Sequence, residues 1–381
     1  MKKIHTQIFV LLRLLLISLL IFFIGCQTDS LPSVSSSKSE FAKPTDLKKI
    51  AKSEDQISVM SYNVENLFDN LHDKDREDFT YLPSIEKNKQ EVVSFCETQH
   101  SNSRRKECEE TDWNDTVVKT KLANIAKVIR AADAGKGPDN LLLAEVENES
   151  ILKRLVHDEL GDLGYKTIVL IEGPDLRGID PGFISKFPLS GTPILHLIPY
   201  QESDPEQLKW AQRSRGILEV SVILPNNRNL TFLVAHFPSQ ANPSAWRSQA
   251  VQYAKDLMSK YSKLGRAVIF GGDLNIISTE ENSKGYFKNE LSQVGQVSHL
   301  VGCKLCLGSH NYRNEWSFLD VLVYSHNLKD ASLELIPESI EIVRTADNMK
   351  KNGAPLSFDS DKKNMGVSDH FPLYSRLKIL K

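Results

Sequence analysis

Several short stretches of this chain hold acidic, amide or histidine residues where they could share one piece of chemistry. Asn63 and Glu65 stand two apart, so on extended backbone their side chains face the same way. Asp273 and Asn275 repeat that spacing just after Gly271-Gly272, and the glycines permit a sharp exit from a strand. Glu145 and His236 each follow an apolar run, Asp320 lies near the start of another, and Asp369-His370 lies close to the C-terminus. Hard oxygen donors such as Asn63, Glu65 and Glu145 suit Mg2+ or Mn2+, not Zn2+. A divalent ion on one or two carboxylates with open positions is typical of phosphate-ester chemistry. His236 and His370 can supply protons or hydrogen bonds near neutral pH. A carboxylate beside a histidine fixes its tautomer and raises its basicity. The set points to metal-assisted hydrolysis of a phosphoester. Taken singly, Asn63 reads as a turn residue and Asp369-His370 as a surface pair. Only their ordered co-occurrence carries the chemistry.

The elements that must position these residues are legible as apolar runs. Residues 57–62 are β-rich and end at Asn63. Leu141-Leu142-Leu143-Ala144 is a short buried-strand pattern ending at Glu145. Leu218, Val220, Val222 and Leu224 alternate. Residues 230–235 form a second strand beyond the turn at 226–229, and that strand ends at His236. Residues 267–270 lead into Gly271-Gly272-Asp273, and residues 319–324 carry Asp320. Val118, Leu122, Ile125 and Ile129 have helical spacing, as do Trp246, Ala250, Tyr253 and Leu257. Strands interleave with helices and hairpins, which predicts one α/β domain from residue 57 to the end.

Composition agrees with a folded enzyme-sized domain. The chain has 381 residues, 40% apolar and 25% charged, which excludes wholesale disorder and a multi-span membrane protein. A net charge of −2 disfavours a uniformly basic nucleic-acid binder. Lys2, Lys3, an apolar run to Ile24 and Gly25-Cys26 read as an export signal over residues 1–25. Leu14 to Ile24 is short for a bilayer span of ~20 residues, the alternative reading. Phe23-Ile24-Gly25-Cys26 resembles a bacterial lipobox, with Phe where Leu is usual. That resemblance implies lipidation at Cys26 and an exported lipoprotein at the outer membrane, in the periplasm or on the cell surface. Residues 26–56 then read as a flexible tether. Removing residues 1–25 takes away Lys2, Lys3 and Arg13 and no acid, so the net charge becomes −5. Four cysteines remain, an even number that suggests two bridges in an oxidising compartment. Three connectivities exist; Cys96–Cys108 and Cys303–Cys306 are the local ones. A zinc site that includes Cys303-Lys304-Leu305-Cys306 is the alternative.

The motifs Tyr62-Asn63-Val64-Glu65-Asn66-Leu67-Phe68-Asp69, Glu145-Val146-Glu147-Asn148 and Asp175-Leu176-Arg177-Gly178-Ile179-Asp180 recur in a known order with three others. Those are His236-Phe237-Pro238-Ser239, Gly272-Asp273-Leu274-Asn275 and Ser368-Asp369-His370-Phe371-Pro372. Together they resemble the endonuclease/exonuclease/phosphatase superfamily, and a bacterial, usually exported branch of it. The resemblance implies a four-layer α/β/β/α sandwich of two mostly antiparallel sheets. It implies Glu145 as principal metal ligand with Asn63 and Glu65 assisting, and Asp369 beside the ion. It further implies His236 and His370 at the scissile phosphate, with His370 oriented by Asp320. Asp273 would act on the attacking water and Asn275 on a phosphoryl oxygen. Arg177 and Asp180 would line the cleft. The expected cofactor is Mg2+ or Mn2+, and the expected substrate is a phosphoester in a monomeric enzyme. Nucleic acid is favoured, because polar stretches at 73–115 and 346–367 carry Arg104-Arg105-Lys106, Lys350-Lys351 and Lys362-Lys363. A sphingomyelinase-like phospholipase C is the second reading and a non-enzymatic binding lipoprotein the third. For the phospholipase the chain offers no legible exposed aromatic hairpin: aromatics are 8%, and Trp210, Trp246 and Trp316 fall in segments that look packed.

Overall fold

Alternation along strand β1 (Gln56–Leu67) decides the layering. Ile57 and Val59 point one way, into a cluster with Leu142, Val220, Phe232, Ile269 and Leu322. Met60, Tyr62 and Val64 point the other way, among Val118, Leu122, Ile125 and Ile129. In this computed structural model residues 41–362 and 365–381 are described. The strands that follow are β2 (Asn140–Val146), β3 (Thr167–Leu170), β4 (Asp180–Ser185), β5 (Ile194–His196), β6 (Ile217–Ile223) and β7 (Asn229–His236). The later strands are β8 (Val268–Asp273), β9 (Gly295–Val297), β10 (His310–Tyr312), β11 (Glu315–Ser317), β12 (Asp320–Ser325), β13 (Leu333–Ile342) and β14 (Leu373–Ile379).

Two six-stranded sheets result, in the orders β13-β14-β1-β2-β4-β3 and β5-β6-β7-β8-β12-β9. Each has one parallel pair, β1–β2 and β7–β8, within an otherwise antiparallel ladder. One apolar cluster lies between the sheets, where Phe183 of β4 meets Phe232 of β7 with ring centroids 4.9 Å apart. A second lies under the helix Asp115–Arg130 and a third under the helix Ser244–Lys263. This is the expected sandwich of helix, sheet, sheet and helix. Truncating one of the two inter-sheet phenylalanines to alanine costs about 3–5 kcal/mol at such positions, so this layer sets the sheets' spacing.

The domain starts earlier than residue 57. Phe41 packs edge-on against Trp316 and Phe371, Thr45 Oγ1 donates to Ile342 O (2.7 Å), and Ile50 is fully buried. Residues 41–56 are therefore part of the fold and not of a flexible tether. The polar composition of this stretch concealed two apolar anchors, Phe41 and Ile50. The signal, Cys26 and the rest of residues 1–40 lie outside the described residues. No helix among the described residues is long and apolar enough to cross a membrane.

The polar stretch 73–115 is not simply a loop. It folds into two short helices, Gln90–Glu97 and Asn102–Glu110, joined by a Cys96–Cys108 bridge beside Leu82 and Val92. A second bridge joins Cys303 to Cys306. With their sulfurs paired, these cysteines leave no thiolate for zinc.

Candidate active site

Strand register assembles the site at one end of both sheets. In the second sheet His236 is paired with Asp273 across β7–β8, and Asp273 with Asp320 across β8–β12. Three functional side chains thus stand in one row. Gly272 lets the strands come this close: its φ is 131°, and a Cβ there would lie 1.9 Å from Ala235 O. In the first sheet Asn63 is paired with Ala144, after which the register shifts on both sides of β2. Glu65 (φ 51°), Asn66 (φ 53°) and Glu145 (φ 64°) all take left-handed backbone there. Non-glycine residues in that region cost of order 1 kcal/mol each and cluster at functional sites. The irregularity turns the carboxylates out of the ladder, and Asn66 N donates to Glu145 Oε2 (2.9 Å).

Hydrogen bonds then lock the two sheets together at this end. Asn63 N donates to Asp320 Oδ1 (3.2 Å), and Asn63 Nδ2 donates to Asp273 Oδ2 (2.9 Å) and Glu145 Oε1 (3.2 Å). Asn63 Oδ1 accepts from Glu65 N (2.9 Å). A flipped amide would set its oxygen against two carboxylates, so the orientation is determined by its neighbours. Asn63 therefore fastens acids together with its amide nitrogen, while its oxygen, bonded once to Glu65 N, keeps a second lone pair for a cation. Asp273 Oδ2 is the hub. His236 Nε2 lies 3.7 Å from it and His370 Nε2 3.9 Å. His370 Nδ1 meets Asp320 Oδ2 at 2.6 Å. Ser368 Oγ accepts from His370 N (3.0 Å) and donates to Asn63 O (2.7 Å), tying the C-terminal motif to β1.

The two histidines are held in opposite states. Burial, then the positive charges of Arg215, Arg177 and His370, keep His236 well below the ordinary histidine range, so it is neutral. Burial acts downward on His370 too, but Asp320, Asp369 and Asp273 outweigh it and hold His370 well above that range. Burial raises Asp273 to about 6; His370 opposes the rise and Asp320 adds to it. Burial, then repulsion from Asp369, lifts Glu65 to about 8, with Lys121 opposing.

The donor types suit a divalent ion. Glu65, Glu145 and Asp369 are hard oxygen donors whose charges repel one another across a partly buried space. Glu65 Oε2 accepts from Phe358 N (2.7 Å) and Glu145 keeps one oxygen close to His236 Nε2 (3.8 Å). Both carboxylates retain lone pairs for a cation.

The other expected residues divide. Arg177 reaches the site, donating from Nη2 to Asn66 Oδ1 (2.5 Å). Asn275 is at the site's edge, with its Nδ2 donating to Phe237 O (3.0 Å) and its own N–H bonded to Asp273 Oδ1. Asp180 does not line the cleft. It is fully buried, accepts from Gly173 N (3.1 Å), and burial raises it to about 7. It braces the loop that carries Arg177. Three further residues were not anticipated. Arg215 pairs with Asp175 (2.8 Å) and charges the floor beneath His236. Lys121 is fully buried, donates to Val367 O (2.8 Å) and lies 4.4 Å from the Phe358 ring centroid. A lysine within the apolar stripe of the helix Asp115–Arg130 was the available signal. His310 lies across from His370, with ring centroids 4.8 Å apart. It comes from the β10–β11 hairpin, whose Tyr312 is 62% exposed with the Arg313 guanidinium 5.1 Å from its ring. So an exposed aromatic hairpin does exist, and Trp210 is also exposed; alternation across a three-residue strand is too short to read in sequence.

The model of the endonuclease/exonuclease/phosphatase family matches residues 97–379. An endonuclease/exonuclease/phosphatase family protein from Bacteroides thetaiotaomicron is similar in structure, with 14% identity and a TM-score of 0.50, covering 88% of this chain and 98% of that one. D. rerio TDP2 complexed with a single-strand DNA product is 13% identical with a TM-score of 0.48, covering 85% and 99%. The human Nocturnin catalytic domain with bound sulfate is 15% identical with a TM-score of 0.45, covering 86% and 96%. At these identities the likeness is one of fold. No curated protein matches the chain in sequence.

Proposed function

The chain belongs to the endonuclease/exonuclease/phosphatase family, and from that premise we propose that it is a divalent-metal-dependent phosphodiesterase of nuclease type. The observation that supports this most is the convergence of Asn63, His236 and His370 on Asp273 Oδ2, with Glu145 on the adjoining edge. In this reading Asp273 accepts a proton from the attacking water as its oxygen bonds to phosphorus. The ester P–O bond opposite breaks and the leaving oxygen carries its electron pair away. His370, kept protonated by Asp320, offers Nε2–H to a phosphoryl oxygen. Neutral His236 offers its Nε2–H to a second one. Asn275, held by Phe237 O, bounds the phosphate from the β8 side. A cation such as Mg2+ or Mn2+ on Glu145, with Glu65 and Asp369 near, would supply positive charge to the phosphoryl and departing oxygens. Arg177 adds a fixed positive charge on the same side. All of these groups come from one chain, so we propose a monomer.

The Asp273 role sets a pH profile. The base must be ionised, so activity is lost as the pH falls through its pKa. We expect kcat/KM to fall about tenfold per pH unit in acid. The bend should come at or just below pH 6, since a bound cation favours the ionised form. A pH–rate series checks this.

Nucleic acid is the substrate class we favour, because Tyr312 and Arg313 stand on a hairpin beside His370 and can stack a base. Base–aromatic stacking contributes about 1–3 kcal/mol, so Tyr312→Ala is expected to raise KM for single-stranded DNA about tenfold. The same variant should leave bis-p-nitrophenyl phosphate hydrolysis unchanged. The exposed Tyr312 also admits the phospholipase C reading, in which it would enter a bilayer. The deciding experiment is a panel of plasmid DNA, single-stranded DNA, RNA, sphingomyelin vesicles and inositol phosphates, with residues 41–381 and Mg2+. Cleavage of sphingomyelin alone would overturn the nuclease reading, and hydrolysis of none would overturn the phosphodiesterase.

We also propose export and anchoring through a lipid on Cys26, on the strength of the signal pattern at residues 1–26. Cys26→Ala is expected to move the protein out of the membrane fraction. Unchanged partition would refute the anchor.

A further inference from the structure

We propose that His310, Asp369 and His370 form a transition-metal site whose occupation by an ion such as Zn2+ switches the enzyme off. The switching half of this inference rests on the phosphodiesterase reading above; the binding half does not. His310 Nε2 lies 3.9 Å from one Asp369 carboxylate oxygen, and His370 Nε2 lies 3.9 Å from the other. One donor atom from each of the three residues lies within 4.8 Å of the other two. An ion about 2.0–2.1 Å from each donor spaces tetrahedral ligands by roughly 3.3 Å. Closing the set therefore takes side-chain shifts of about 1 Å.

Both histidines are already fixed. Their backbones form a β-bridge, His310 to His370, so the rings are carried side by side. The His310 hairpin is held by Trp316, which stacks on Phe371 and meets Phe41 edge-on. Asp369 is partly exposed and is the ligand with room to turn. Two imidazoles and one carboxylate are a zinc-type donor set with an open fourth position, unlike the all-oxygen group at Glu65 and Glu145. His370 also has the outer partner that metal-bound histidines usually have: its Nδ1 faces Asp320 Oδ2 at 2.6 Å, which directs Nε2 toward the ion.

Occupation would take away the atom that His370 offers to the phosphate. Nε2 would bind the ion in place of a proton, and Asp369 would be drawn from the Mg2+ side to the Zn2+ side. His310 has no part in the proposed hydrolysis, which makes it the residue to change.

The test uses the full-length protein freed of metal. Co2+ is expected to bind with the visible absorption of a low-coordinate nitrogen–oxygen site and to be displaced by Zn2+ but not by excess Mg2+. His310→Ala is expected to weaken Zn2+ binding at least about tenfold. Asp369→Asn should do the same, so one misfolded variant does not decide the matter. Glu145→Gln, in the Mg2+ group, should leave Zn2+ binding unchanged. With Mg2+ saturating, Zn2+ should inhibit bis-p-nitrophenyl phosphate hydrolysis, and His310→Ala should need at least about tenfold more Zn2+. Zn2+ affinity unaffected by His310→Ala and Asp369→Asn would overturn the site. Binding with no inhibition would overturn the switch alone. A chain that hydrolyses no phosphoester would fail the phosphodiesterase reading while the binding result still stands.

Discussion

Replacing His370 with alanine is expected to lower kcat by about a thousandfold, or roughly 4 kcal/mol of transition-state stabilisation. The residue is nearly fully buried, and its only route to the substrate is Nε2, because Nδ1 is committed to Asp320. Asp320, Asp369 and Asp273 keep the ring charged despite burial, so the group lost is a positively charged donor in a low-dielectric site. Alanine also strands the Asp320 carboxylate. Asp320 Oδ1 keeps the bond from Asn63 N, but Oδ2 loses its partner, and removing one member of a buried pair costs about 3–5 kcal/mol. The variant is expected to fold but to melt earlier. His370→Asn is the companion that separates the effects, since a shorter donor can reach Asp320 without reaching a phosphate. Both should be inactive, and only the alanine strongly destabilised. A fully active His370→Ala enzyme would show that the assigned role is wrong.

Removing divalent ions with EDTA is expected to lower turnover at least about a thousandfold, with recovery on adding Mg2+ or Mn2+. The reason lies in the charge pattern. Burial, then repulsion from Asp369 with a smaller share from Glu145, pushes Glu65 up to about 8, and the buried Lys121 beside them does not cancel it. A bound cation relieves it, so Mg2+ should raise the melting temperature as well as the rate. At a concentration 100 times its Kd the linkage is about 2.7 kcal/mol. Glu145→Gln is expected to raise the Mg2+ needed for half-maximal activity at least about tenfold and to shrink the thermal shift. Calorimetric melts with and without Mg2+ check this independently of any substrate. Activity undiminished by EDTA would remove the metal from the mechanism.

Much of the fold was legible in the chain because its causes are local. Period-two alternation at Leu218, Val220 and Val222 needs no knowledge of the partner strand, and period-3.6 spacing at Val118, Leu122 and Ile125 needs none of the helix's neighbours. The strand ends at His236 and Asp273 followed from where those runs stop, whereas β1 and β2 run on past Asn63 and Glu145 to Leu67 and Val146. The domain boundary failed for a related reason. Phe41 is one apolar residue in a polar stretch, and what it packs on, Trp316 and Phe371, lies far along the chain.

Residue types and spacing by themselves determined the layered α/β class and the cast of acids, amides and histidines suited to phosphoester chemistry. Only the tertiary structure decided what each member does. Asn63 binds two acids with its amide nitrogen, an orientation held by Glu65 N at its oxygen. Asp180 braces a loop, because it is fully buried behind Gly173. Lys121, Arg215 and His310 join the site although no motif marks them. A side chain's chemistry is carried by its own atoms and is written in sequence. Its direction, its hydrogen-bond partners and its charge state are set by groups from other strands, and these exist only once the two sheets have closed on each other.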